Sequence, residues 1–176
     1  MEICVGSKKI YSGKIISLRV DEVEVSKNGH HTRREVVEHG SAVAILAKDG
    51  DGKLLFVRQF RYPLNGELLE IPAGLMEPGE DPLEAASREL REETGYRAQK
   101  WTAMPAIWTS PGFCDEKIYV YLAEDLRWDP LNPDDDEDIS LLRYTDEEAR
   151  ALLDSTQAQD AKTLMALGWY FAKGKK

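Results

Sequence analysis

The chain has 176 residues, with 23 lysines and arginines against 32 aspartates and glutamates, a formal charge of −9, and 42% hydrophobic and 31% charged residues. That length suits one globular domain with at most a small appendage, and the composition excludes the disordered and fibrous classes. The acid excess argues against general nucleic-acid binding, because affinity for a phosphate backbone comes from neutralising Lys and Arg.

In chain order, the opening MEICVGSKKIYSG lacks the apolar run of a secretory signal, and no later stretch approaches the ~20 apolar residues of a membrane span. Period-two alternation predicts strands at Lys14–Val25, Arg33–Glu38, Ala42–Ala47 and Leu54–Gln59. They are punctuated by the turn signals Lys27-Asn28-Gly29 and Asp49-Gly50-Asp51-Gly52. A short strand at Leu68–Ile71 and a Pro/Gly/Glu-rich loop lead to a helix start. Asp81 is placed to cap it, Pro82 takes its first position, Glu84 can close a capping box, and Gly95 can end it. Leu83, Ala86, Leu90 and Thr94 share one face of that helix and are its expected core stripe. Strands at Trp101–Thr109, Lys117–Ala123 and Ser140–Tyr144 follow, then helices near Asp146–Leu153 and Ala161–Ala172. The order predicts an α/β fold, a mixed sheet covered by helices. Cys4 and Cys114 are too few and too far apart to suggest a disulfide framework or a metal knuckle, so a reducing, cytoplasmic setting is expected.

The charge is concentrated. Residues 74–96 hold seven acids and two bases, and Asp134–Asp138 five acids and no base, so these 28 residues carry −10 and the other 148 are +1. On the helix, Glu89, Glu92 and Glu93 span about 100° of surface, where like charges three and four apart each cost a few tenths of a kcal/mol. Converging carboxylates are hard ligands suited to Mg²⁺ or Mn²⁺ rather than zinc. Arg88 and Arg91 offer the alternative of a solvated face laced by local ion pairs.

Spacing favours the metal. Gly74, five residues, Glu80, seven residues, then Arg88-Glu89-Leu90-Arg91-Glu92-Glu93-Thr94-Gly95-Tyr96 resembles the signature of the Nudix hydrolases, G-x5-E-x7-R-E-U-x-E-E-x-G-U with U bulky and apolar. Tyr96 is an aromatic in a slot often aliphatic. Ile71-Pro72-Ala73-Gly74 before the box, and Ser110-Pro111-Gly112-Phe113 with Pro111 fifteen residues after it, are similar to the family's ADP-ribose pyrophosphatase branch. So are Gln59-Phe60-Arg61-Tyr62 and Arg33-Arg34-Glu35-Val36-Val37.

The resemblance implies a Nudix-type α/β/α sandwich over residues 41–176. It also implies an N-terminal β region over residues 1–40 used in homodimerisation and substrate contact. The implied activity is Mg²⁺-dependent hydrolysis of ADP-ribose to AMP and ribose 5-phosphate by metal-activated water, with Mn²⁺ as a substitute. Glu89, Glu92, Glu93 and the Ala73 carbonyl would bind metal. Glu137, in the acidic loop, would be the base, with Glu92 or Glu93 as the alternative. Arg34 and Arg61 would grip phosphate, Arg34 across the dimer, with Arg58 as a neighbour able to take either role. Ser110 and Gly112 would meet the terminal ribose. Gly74, Glu80, Arg88 and Gly95 would hold the box together. Tyr11, Tyr62, Trp108 and Phe113 are candidates to stack on adenine. The box is blind to substrate, which leaves open a nucleotide sugar, a dinucleoside polyphosphate or an oxidised nucleoside triphosphate. A non-catalytic ADP-ribose sensor is a further class, but such proteins usually lose box glutamates and none is lost here.

Overall fold

The computed structural model describes residues 1–132, 138–155 and 159–173. The chain divides into two compact units, Met1–Ser41 with Trp108–Lys117, and Ala42–Ile107 with Ile118–Lys176.

The first unit is an antiparallel three-stranded sheet in the order β1 (Glu2–Ser12), β2 (Ile16–Val25), β3 (His30–His39). β1 was not legible as a strand. Its pairing with β2 shifts register between Cys4 and Gly6 and again between Lys9 and Tyr11, and each irregularity breaks the period-two pattern that marks a strand. Among the described residues of these three strands only Asp21 and Val23 are buried. Ionic rungs cross the sheet instead: Arg34 forks onto Glu2 (2.6 and 3.1 Å) and Arg19 donates to Asp21 and to Glu38 (3.0 Å). The 110–115 turn is stitched to β3 by Val37 N–H donating to the Phe113 carbonyl (2.7 Å) and Asp115 N–H donating to the Val37 carbonyl (3.2 Å).

From Ala42 onward the chain runs β4 (Ala42–Lys48), β5 (Leu54–Arg61), a 3-10 turn (Tyr62–Leu64), β6 (Gly66–Glu70), β7 (Ala73–Leu75), α1 (Pro82–Thr94), β8 (Tyr96–Ala103), β9 (Ile107–Trp108), β10 (Lys117–Trp128), β11 (Ile139–Tyr144), α2 (Asp146–Leu153) and α3 (Ala161–Lys173). The strand expected at Trp101–Thr109 is two pieces, interrupted around Pro105, which cannot donate to a ladder. The sheet order is β11-β5-β4-β10-β8, with β4 and β10 parallel and the other pairs antiparallel, the expected mixed sheet.

β4 lies at its centre and is apolar at every position from Ala42 to Ala47 because both faces are covered. Ala42, Ala44 and Leu46 join Leu54, Phe56 and Val120 under α2 and α3, through Ala149, Ala166, Leu167 and Phe171. Val43, Ile45 and Ala47 join Leu55, Ala98 and Ala123 under α1, through Ala85, Ala86 and Leu90. One strand thus serves two cores, and the layers are helix, sheet, helix. Among the described residues no helix is long and apolar enough to cross a membrane.

β4 and β5 pair only near their turn, at Ala47–Leu55 and Lys48–Leu54. Beyond it they diverge. β6 takes the free edge of β5 from Val57 to Arg61, and β7 that of β4 from Ala42 to Ala44. The residues between β6 and β7, Ile71 and Pro72, lie in the fork.

The stripe on α1 differs from expectation by one residue. Ala86, Leu90 and Thr94 are buried as expected, but Leu83 is 40% exposed and Ala85 is buried in its place. Leu83 belongs to the first turn, where the chain has not yet reached the sheet. We therefore expect Leu90→Ala to cost about 3 kcal/mol, whereas Leu83→Ala costs under about 1 kcal/mol. Urea unfolding of the two variants measures both.

Candidate active site

The loop and helix after the fork hold every box residue. Asp81 accepts hydrogen bonds from Leu83 N–H (2.8 Å) and Glu84 N–H (3.4 Å) to start α1; a closed capping box is present at α2, between Thr145 and Glu148. Gly95 ends α1 with φ +77°, its N–H donating to the Arg91 carbonyl. A Cβ there would meet the Trp128 ring at 2.4 Å, so conformation and space both demand glycine. Tyr96 follows, edge-on to Trp128 with its hydroxyl accepting from Arg143 (2.7 Å), which suits an aromatic to that slot.

Arg88 gathers the acids. Its Nε and Nη2 fork onto Glu80 (3.0 Å each), Nη2 reaches the Leu75 carbonyl (3.0 Å), and Nη1 donates to Glu89 (2.7 Å) and Glu92 (2.9 Å). The Arg88 hydrogen bond, ahead of any other influence, holds the Glu80 carboxyl below its ordinary range, and the Glu77 N–H adds to it. Arg88 itself is raised, chiefly by Glu80. Arg91 takes no part in this group; it donates to the Asp129 carbonyl (2.9 Å).

Glu89 and Glu93 are 8% and 7% exposed, and Glu92 is half-buried. Glu93 accepts from the Ala73 N–H (3.1 Å). A Cβ on Gly74 would lie 2.1–2.2 Å from the Glu89 carboxylate, so the glycine makes the space that the acid fills. Among the described residues no three acidic, histidine or cysteine side chains converge as a ready-made cage. The donor set still fits a hard divalent ion: carboxylates on one helix face beside the turn at Ala73, two of them buried.

That turn is tied at three successive residues. Ile71 N–H donates to Thr163 Oγ1 of α3 (2.9 Å), the Pro72 carbonyl accepts from Ile45 N–H of β4 (2.8 Å), and Ala73 N–H donates to Glu93 of α1. The Ala73 carbonyl, the expected metal ligand, is carried by the last of these residues.

Arg61, expected to grip phosphate, is half-exposed and forks onto Glu70, at 2.6 Å from Nε and 2.7 Å from Nη2. Glu70 is 2% exposed and also accepts from Lys162. Burial pushes the Glu70 carboxyl up, and Arg61 with Lys162 overrides it, leaving it below its ordinary value. The sequence reading missed this group. Its one signal was an acid between apolar neighbours in Leu68-Leu69-Glu70-Ile71; Lys162 lies 92 positions away. Arg58 is exposed. Arg34, Ser110 and Gly112 belong to the first unit, where Arg34 is engaged by Glu2 and Ser110 accepts the turn bonds of Phe113 and Cys114. Tyr11, Tyr62, Trp108 and Phe113 are all exposed. Glu137 lies outside the described residues.

Gly74→Ala should leave the fold intact while displacing Glu89. Calorimetric titration with Mn²⁺ should then show metal affinity reduced at least about tenfold, with kcat/KM falling alongside. Because Glu80 is lowered when folded, its contribution to stability is complete above the ordinary value of 4.5 and lost as pH falls through the lowered value. In urea unfolding, Glu80→Gln should be less stable than the unmodified protein near neutral pH, with the gap closing on acidification.

The chain is 45% identical over 168 residues to an ADP-ribose pyrophosphatase of Bacillus subtilis, covering 94% of this chain and 90% of that one. It is 39% identical over 168 residues to a methanol dehydrogenase activator of Bacillus methanolicus, with the same coverages. The crystal structure of an ADP compounds hydrolase, 24% identical, superposes with a TM-score of 0.87 over 99% of this chain and 95% of that chain, and shares the fold. The NUDIX domain model matches residues 38–167, so the loop, the acidic helix and the sheet that carries them belong to a member of the Nudix hydrolase family.

Proposed function

We propose that this Nudix hydrolase cleaves the diphosphate bond of ADP-ribose to give AMP and ribose 5-phosphate, with Mg²⁺ as its ion and Mn²⁺ as a substitute. Nudix enzymes generally need a divalent metal. The observation that carries the reading is the pair of buried carboxylates, Glu89 and Glu93, on the face of α1 beside the tied Ala73 turn, with Gly74 making room for one of them. The substrate follows from the similarity to an ADP-ribose pyrophosphatase along nearly the whole chain.

A diphosphate carries about two negative charges and is repelled by an acidic helix until cations intervene. Glu89, Glu92, Glu93 and the Ala73 carbonyl would hold the ion, which when bound supplies positive charge to the phosphates and makes nearby water more acidic. Arg88, fixed by Glu80, keeps Glu89 and Glu92 together on one side of the helix. Arg61 and Arg34 donate to phosphate oxygens, and Ser110 and Gly112 meet the terminal ribose. Glu137 takes the proton of the attacking water, with Glu92 or Glu93 as the alternative base. The N-terminal region, residues 1–40, pairs two copies of the chain so that Arg34 serves the partner's site. The cytoplasm is the proposed location.

A panel of ADP-ribose, ADP-glucose, GDP-mannose, NADH and diadenosine polyphosphates, assayed with Mg²⁺, should rank ADP-ribose among the best by kcat/KM. A poor rank would overturn the substrate while leaving the pyrophosphatase chemistry. Glu93→Gln should keep the fold and lose turnover by at least about a thousandfold, and normal turnover would remove α1 from the chemistry. Of Glu137→Gln, Glu92→Gln and Glu93→Gln, the one that flattens the acid limb of the kcat profile identifies the base.

A further inference from the structure

Glu70 is nearly sealed from water, yet two cations share its carboxylate. Arg61 forks onto it through Nε and Nη2, and Lys162, whose side chain is 11% exposed, donates to the same Oε2 that Arg61 Nη2 holds. Lys162 also donates to Asp160 (3.1 Å), and Asp160 accepts from Thr163 N–H (2.9 Å) and Thr163 Oγ1 (2.6 Å) where α3 begins. The four charges sum to zero. Neither Lys162 nor Asp160 belongs to the box or to the segments assigned to substrate above.

Glu70 first, and Glu93 of α1 after it, raise the Arg61 guanidinium above its ordinary value, and its side chain is 39% exposed. A guanidinium whose Nε–Nη2 edge is taken by a carboxylate keeps its outer end for a second anion. The direction of that end is set by the plane of the Glu70 carboxylate, and the terminal torsion of a glutamate is broad and roughly two-fold. Lys162, bonded to Oε2 and itself held by Asp160, removes that freedom.

We propose that Lys162 is a positioning residue for the substrate: it locks the Glu70 carboxylate so that Arg61 presents its outer nitrogens to the phosphates of a nucleoside diphosphate. This rests on the reading of Arg61 as a phosphate-binding residue. Lys162 reaches the reaction only through Glu70 and Arg61 and touches no substrate atom.

The test uses the full-length protein with Mg²⁺ and whichever member of the panel it turns over best, so that a different substrate leaves the experiment intact. Lys162→Met should raise KM about tenfold, the size expected for one charge-assisted hydrogen bond, with kcat changed less than about threefold. Lys162→Arg should restore most of the loss. In an Arg61→Ala background, Lys162→Met should change KM no further. A KM unchanged by Lys162→Met, or a KM effect that persists without Arg61, overturns the proposal. Arg61→Ala with an unaltered KM overturns the phosphate role of Arg61 and the proposal with it. If Arg61→Ala raises KM while Lys162→Met does not, the proposal alone falls. Should Lys162→Met fail to fold, Lys162→Met with Glu70→Gln removes the buried charge imbalance. Its KM should equal that of Glu70→Gln alone, and a further rise would overturn the proposal.

Discussion

Three successive residues, Ile71, Pro72 and Ala73, are each bonded to a different element: α3, β4 and α1. Such a turn would otherwise be a short irregular stretch between two short strands, and its position decides where the Ala73 carbonyl and Gly74 lie relative to the acidic helix. The Pro72 carbonyl pairs the Ile45 N–H, on the part of β4 that no longer pairs with β5, and the other two tethers satisfy the turn's own N–H groups. The two cores then fix the tethers. Ile45 is packed under α1, and α3 is packed on the opposite face through Ala166 and Leu167.

Around this frame, electrostatics is handled by pairing rather than dilution. Glu80, Glu89 and Glu92 within reach of one another would repel, and Arg88 answers all three while also bonding the Leu75 carbonyl. Among the described residues no buried side-chain nitrogen or oxygen lacks a hydrogen-bond partner. A guanidinium suits this task better than an ammonium because its five donors diverge in a fixed plane.

Legibility in the sequence followed the range of the interactions. α1 was readable because its cap, its first proline, its closing glycine and its charges are all local, and the spacing of Gly74, Glu80 and Arg88 records contacts made within a single loop and helix. β4 was expected from period-two alternation, whereas it is apolar at every position from Ala42 to Ala47 because its two faces serve two cores. β1 escaped because two register shifts interrupt its pattern, and Leu83 was misplaced because helical periodicity does not tell where along a helix the sheet begins. The pairing of Arg61 with Glu70 spans nine positions and that of Glu70 with Lys162 spans 92; no local pattern marks a partner at such a distance. Arg91 had the spacing of a local pair but engages both the carbonyl and the carboxylate of Asp129 instead.

The neutral quartet of Arg61, Glu70, Asp160 and Lys162 also bears on how such a chain drifts. Replacing a buried ionic group by apolar residues of similar volume is often harmless once complete, but removing one member strands a charge and costs about 3–5 kcal/mol. Loss of Glu70 or Lys162 alone would strand a buried charge, at a cost that is a large share of a domain's stability. Glu70 and Lys162, whose side chains are the most enclosed of the four, are thus easier to exchange together than one at a time.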